Sequence, residues 1–253
     1  MMSLRENIEL DGEVRMSNWR RASVVVWSTI HESQFRTTES FPAAKLGEAL
    51  ASRPGVTAFH FALKALAMTF AKHPEMNVTQ IGKRIFRRKH INIYFHITTA
   101  QGTLEGETLR EVDELSTQQI AARVRELVAA TNAKPMGERP MPYWLIKILV
   151  KLGHFLCYRL NLWAPWMRIS RDRFGCAMVS NIGTFGVGPF HSARNEMCHN
   201  AVLVGLGPIV ADVYPIYFAF DHRLCDGADA ALFIVSMREY FEDPNLVLAG
   251  DRS

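Results

Sequence analysis

The sequence predicts a two-layer α/β domain. Three observations carry that prediction. Short apolar runs, β-branched or bounded by glycine, recur at 23–30, 176–182, 201–206 and 214–220. Separate segments of helical period lie at 57–72, 115–130 and 228–242. The 253 residues, 48% hydrophobic and 21% charged, suit one large domain or two small ones with a sizeable core.

Taken in order, SVVVWSTI at 23–30 reads as a strand because β-branched residues favour a pleated surface. Residues 57–72 read as a helix that starts at Thr57, with Pro74 just beyond its end. Residues 84–97 alternate well enough for one or two strands. Residues 115–130 form a helix with Ser116 or Thr117 as N-cap. The strand at 214–220 leads to His222, and Asp226-Gly227 makes the turn into the helix at 228–242.

The segment between Pro142 and Trp166 stands apart, YWLIKILVKLGHFLCYRLNLWAPW. Lys147, Lys151, His154, Tyr158 and Asn161 recur at helical spacing, a narrow polar stripe on an apolar and aromatic helix. Three readings stand for it: a helix packed on this domain or a neighbouring subunit, a helix lying in a membrane surface, or an apolar wall for a long acyl chain.

Charge excludes one class. With 29 Lys and Arg against 25 Asp and Glu, net +4, the chain has no nucleic-acid signature. The basic run Lys83-Arg84 with Arg87-Arg88-Lys89-His90 reads as a solvated hairpin rim, with a phosphate anchor for coenzyme A as the other reading. Cys157, Cys176, Cys198 and Cys225 lack CxxC pairing and read as buried free thiols of a reducing compartment. The opening MMSLRENIELDGEV is polar, unlike a secretion signal. The expectation is a cytoplasmic protein, peripheral to the membrane if 142–166 lies on one. His191, Cys198 and His199 fit no common zinc spacing, so no metal site is expected.

A histidine at the end of a buried strand sits on a rigid support and titrates near neutral pH, which suits it to accept and return a proton. Here the run is Phe220-Asp221-His222-Arg223-Leu224-Cys225-Asp226-Gly227-Ala228-Asp229-Ala230. It resembles the active-site signature of the dihydrolipoamide acyltransferase catalytic domain of 2-oxoacid dehydrogenase complexes. Chloramphenicol acetyltransferases share that fold and the histidine–aspartate–glycine spacing. Met178 to Gly186, His73-Pro74-Glu75-Met76-Asn77 and Phe241-Glu242-Asp243-Pro244 resemble further stretches of the family, in the right order.

The resemblance implies a chloramphenicol acetyltransferase-like two-layer sandwich, a mixed sheet with helices on one side, forming a trimer. It implies one acyltransferase catalytic domain over 1–253 with an apolar helical insertion at about 142–166. No lipoyl or peripheral-subunit-binding domain is expected ahead of it. The implied activity is acyl transfer from a thioester, acyl-CoA or a lipoyl- or carrier-bound group, to a thiol or hydroxyl, without an acyl-enzyme. His222 is the implied general base, Ser180 the oxyanion donor and Asp226 a structural residue paired with an arginine, Arg20 or Arg21. The histidine and serine would come from different subunits. Coenzyme A thioester enters as a co-substrate, and no tightly bound cofactor is expected. Ser180 before Asn181 also reads as ordinary turn chemistry, and a non-catalytic trimeric scaffold of the same fold is the alternative function. Cys225 is discounted as a nucleophile.

Overall fold

The computed structural model describes residues 5–15, 33–100, 102, 104–133, 142–167, 170–188 and 198–249. Its strands are β1 (Arg5–Glu6), β2 (Leu10–Glu13), β3 (Gln34–Pro42), β4 (Val78–Ile81), β5 (Arg84–Arg88), β6 (Ile93–Thr98), β7 (Leu104–Leu109), β8 (Leu162–Trp163), β9 (Ala177–Asn181), β10 (Val202–Leu206) and β11 (Val213–Asp221). Its helices are α1 (Ala44–Ala51), α2 (Ala58–Lys72), α3 (Thr117–Asn132), α4 (Tyr143–His154), α5 (Gly227–Glu242) and α6 (Asn245–Leu248). A wider, π-helical turn over Phe155–Arg159 continues α4.

Six strands make the main sheet in the order β3-β11-β10-β9-β6-β7. β9 runs parallel to both its neighbours and the other pairs are antiparallel, so the sheet is mixed. Three strands form a smaller sheet, β2-β5-β4, and β1 pairs with β8.

Alternation along β11 explains the layering. Tyr214, Ile216, Phe218 and Phe220 enter the large core that α2 and α5 cover, while Tyr217 and Ala219 face the other way. Phe70 on α2 meets Phe233 on α5 with ring centroids 4.9 Å apart, and Phe61 meets Phe241 at 5.1 Å. The helix-free face is buried as well, through Tyr94, Met178, Leu203 and Cys198. Both faces being covered, β10 reads Val-Leu-Val-Gly-Leu with no polar position.

The expected helix starts hold. Thr57 caps α2, and its backbone N–H donates to His60 Nδ1 at 3.0 Å. Burial lowers the His60 pKa to about 4, which keeps that nitrogen an acceptor. Ser116 caps α3, with Gln119 N–H donating to its Oγ at 3.2 Å and Ser116 N–H to Gln119 Oε1 at 2.8 Å. The stretch 84–97 divides into β5 and β6, which belong to different sheets. The strand expected at 23–30 lies outside the described residues, as do Arg20, Arg21 and His191.

The segment 142–166 departs from one continuous helix. The helix that starts at Tyr143 ends at Arg159, Leu162–Trp163 is extended against β1, and Pro165–Met167 forms a separate 3-10 turn. Asn161 has left the helix, with φ of 53°. Its Oδ1 accepts from Ile8 N–H at 2.9 Å and its Nδ2 donates to Ile8 O at 3.0 Å. Asparagine tolerates that left-handed backbone better than most residues.

Candidate active site

β11 lies between β10 and the edge strand β3 and delivers the chain to His222. His222 N–H donates to Ser33 O at 2.8 Å, holding the backbone just past the strand end. The chain then turns tightly, as Leu224 and Cys225 N–H both donate to Asp221 O, at 2.8 and 3.0 Å. Buried Asp221 takes the Arg223 guanidinium through Nε at 3.0 Å and Nη2 at 2.8 Å, which neutralises a carboxylate inside the turn. Asp226 is the N-cap of α5, and its N–H donates to Asp229 Oδ2 at 2.8 Å. Strand, turn and helix therefore fix the imidazole at both ends.

The ring packs edge-on against Phe35, with centroids 5.0 Å apart, and Phe35 in turn stacks on Phe220. His222 Nδ1 stands 3.4 Å from Asp226 Oδ1. Both atoms are buried, although 29% of the side chain is exposed.

Ser180 occupies β9, one residue before its end, opposite Gly205 of β10. Gly205 pairs with Tyr217 of β11, five residues before His222. The two expected site residues are thus separated by roughly 17 Å along the strands and two strand spacings, roughly 10 Å, across them. Within one chain the structure does not bring His222 and Ser180 together. It does bring His222 and Asp226 together. Asp226 contacts the histidine and caps α5, and the arginines expected to partner it lie outside the described residues.

The remaining expected sites resolve differently. Cys225 is buried and its thiol donates to Asp221 O at 3.6 Å, so it braces the turn. The basic run is largely paired off. Arg84 faces Glu13, Arg87 faces Asp11, Lys89 faces Glu9, and His90 faces Glu9 and Glu111. Arg88 is buried against Asp172 at 2.5 Å, with Asn92 Nδ2 donating to the same carboxylate at 2.9 Å. That pattern fits the hairpin rim rather than a phosphate anchor. Among the described residues no cluster of three His, Cys, Asp or Glu is placed to hold a metal. His199 instead stacks on Tyr158, with centroids 4.2 Å apart, and its Nδ1–H donates to Gln80 O at 3.1 Å.

Residues 21–141 and 173–249 match the family described as 2-oxoacid dehydrogenases acyltransferase (catalytic domain). The chain belongs to that family. The unmatched stretch between those two parts contains the whole of α4 and β8.

A curated relative is the dihydrolipoyllysine-residue acetyltransferase component of the acetoin cleaving system of Bacillus subtilis (strain 168). It is 22% identical over 256 residues, covering 96% of this chain and 53% of its own length. The chain spans about half the length of that relative and less of the next ones. Among solved structures, the dihydrolipoamide acetyltransferase of Azotobacter vinelandii superposes with a TM-score of 0.63 at 22% identity, covering 93% of both chains. A chloramphenicol acetyltransferase superposes at 0.59 with 14% identity, covering 91% of this chain and 99% of that one. The fold is therefore the chloramphenicol acetyltransferase-like two-layer α/β sandwich, as the signature around His222 implied.

Sequence reading did not single out Phe35. It becomes a neighbour of His222 only through the pairing of β3 with β11, which local pattern does not set.

Proposed function

We propose that this chain transfers an acyl group from a thioester, acyl-CoA in the simplest case, to a thiol or hydroxyl acceptor, with His222 as general base. The observation that carries the reading is the held imidazole, with Nδ1 buried toward Asp226 and part of the side chain exposed. An ionised carboxylate only accepts, so Asp226 favours the proton on Nδ1. Nε2 then carries the lone pair that removes the acceptor's S–H or O–H proton. The freed nucleophile attacks the thioester carbonyl. As the tetrahedral intermediate collapses, the donor thiolate leaves and takes the proton back from Nε2. Such base catalysis contributes about 10²–10⁴-fold. Ser180 would donate its O–H to the oxyanion, and losing one such donor costs about 10²–10³ in kcat.

The separation of Ser180 from His222 supports a site shared between copies of the chain, as the family's trimer would supply. At the Ser180 end of the sheet, Phe185, Val187, Ile209 and Val210 are exposed and apolar, a surface suited to a second copy. The Azotobacter vinelandii enzyme has been investigated for the roles of a serine, a histidine and an asparagine four positions after that histidine. Here Asp226 stands four positions after His222, so a carboxylate replaces an amide that could also donate.

The test is the rate of CoA release from a panel of acyl-CoAs with dihydrolipoyl, carrier-thiol and hydroxyl acceptors. His222→Ala is expected to lose about 10²–10⁴-fold with its sedimentation profile unchanged. Mixed assemblies of His222→Ala and Ser180→Ala chains should recover part of the rate, because some seams then hold both intact residues. Equal rates for wild type and His222→Ala would leave the scaffold reading in its place.

We also propose that the outer face of α4 rests on an anionic membrane surface. Trp144, Ile148, Leu152 and Phe155 form one exposed stripe, with Trp144 63% and Phe155 51% exposed. Lys147, Lys151 and Arg159 lie in the same segment, and no acidic residue occurs from 142 to 171. Apolar side chains flanked by cations and tryptophans suit a helix lying in the headgroup layer. No described helix is long and apolar enough to cross a membrane. The protein should sediment with vesicles containing phosphatidylglycerol, and a Trp144→Ser, Ile148→Ser, Phe155→Ser triple variant should not. Failure of the wild type to sediment overturns this reading. Concentration-dependent self-association that the triple variant abolishes would assign the stripe to a second copy instead.

A further inference from the structure

Phe35 and His222 meet through strand register. β3 pairs antiparallel with β11, with Phe35 opposite Phe220 and Gln34 opposite Asp221. The pairing runs on past the strand end, where His222 N–H donates to Ser33 O at 2.8 Å. His222 therefore stands diagonally across from Phe35, within reach of an aromatic side chain. The two ring centroids lie 5.0 Å apart with 63° between the planes, an edge-to-face contact. Phe35 is itself held. Its ring stacks on Phe220 with centroids 5.5 Å apart and 21° between planes, and buried Phe220 meets Phe233 of α5 edge-on at 6.2 Å. A run of touching rings thus leads from the imidazole into the core and to the helix that Asp226 caps.

Asp226 and Phe35 constrain the imidazole differently. The contact from Asp226 Oδ1 to Nδ1, 3.4 Å, is longer than a well-formed N–H···O bond. It selects between the two orientations related by turning the ring over, because only one of them puts Nδ1 beside the carboxylate. A contact of that length leaves the finer angle of the ring undetermined. The torsion that turns a histidine ring is intrinsically broad, so that angle is set by what the ring packs on. Phe35, fixed by its own stack on Phe220, supplies a rigid aromatic wall there.

We infer that Phe35 is a positioning residue for acyl transfer: its ring holds the His222 imidazole at the angle from which Nε2 takes the acceptor's proton. The inference rests on the general-base role proposed for His222. Phe35 has no proton to exchange, so it acts through the imidazole. Proton transfer depends on the alignment of donor and acceptor, and a small misplacement of a catalytic group is costly. A ring free to swing spends less time aligned, which lowers kcat and leaves substrate affinity alone.

The experiment is steady-state acyl transfer by the assembled protein, in a cycle of Phe35→Leu, His222→Ala and the double variant, with Phe35→Tyr as the variant that keeps a ring. Leucine leaves the edge of the core apolar and removes only the aromatic contact. The expected result is a kcat about tenfold lower for Phe35→Leu, equivalent to about 1.4 kcal/mol of barrier, with KM for both substrates unchanged. Phe35→Tyr should hold kcat near the wild-type value, and Phe35→Leu should change nothing further in the His222→Ala background. An unchanged kcat in Phe35→Leu overturns the inference, as does a loss in Phe35→Tyr equal to that in Phe35→Leu. An equal loss in both backgrounds would mark a packing role, and a raised KM at unchanged kcat would make Phe35 part of a substrate wall; either result also overturns it. If His222→Ala itself keeps the full rate, the general-base reading fails and takes this inference with it. A large His222→Ala loss beside a silent Phe35→Leu removes Phe35 alone.

Discussion

The main sheet and the segment that carries α4 place their apolar residues in opposite ways. β11 buries Phe218 and Phe220 under the helices and Tyr217 and Ala219 on the far face. α4 does the reverse. Its apolar stripe faces outward, and the attachment is made largely by the turn that follows it, through Cys157 and Tyr158 packed on Ile8 and through polar contacts. Tyr158 stacks on His199, His154 Nε2 lies 3.2 Å from His199 Nε2, and Gly82 N–H donates to Tyr158 O at 3.0 Å. The difference teaches that hydrophobicity alone does not decide which side of a helix turns inward. A side chain is buried where a matching partner waits, and here the waiting partners are Ile8, an imidazole and backbone groups. The sheet coincides with the family match and α4 falls outside it, so the two regions also answer to different demands.

The largest expected effect sets the same substitution in both regions. Phe218→Ala empties a fully buried site and should cost about 3–5 kcal/mol of unfolding free energy. Phe155→Ala removes a half-exposed ring and should stay within about 0.5 kcal/mol. Urea unfolding of the two variants checks this. Comparable losses would mean that the outward face of α4 is already buried in the assembled protein, and the contrast between the regions would vanish.

The sequence made some of this contrast legible. The unit from β11 through His222 to α5 could be read because three local signals agree: a strand-like run, a turn at Asp226-Gly227 and a helical period from Ala228. The caps at Thr57 and Ser116 were legible for the same reason. Pairing was not. That Ser180 stands level with Tyr217, far from His222, follows from strand register, and register depends on contacts between residues distant in sequence. The polar stripe on 142–166 was visible, but not its direction, because its partner His199 lies elsewhere in the chain. Asn161 kept the helical spacing in sequence and yet left the helix, since Ile8 offers both its N–H and its carbonyl to one side-chain amide.

That amide gives a smaller, sharper test of the comparison. If α4 is held by polar contacts, removing the Asn161 side chain should release it without disturbing the sheet. Asn161→Ala loses two hydrogen bonds to Ile8, each worth about 1 kcal/mol. It also places alanine at φ of 53°, a further cost of about 1 kcal/mol. Asn161→Gly removes the same bonds and relieves the backbone, so it should fall between alanine and wild type. Hydrogen exchange should show faster opening across β1, β8 and the Phe155–Arg159 turn in both variants, with β10 and β11 still protected. Loss of protection in β10 and β11 would show that α4 and the sheet unfold as one unit, its polar attachment then being part of the core's own stability.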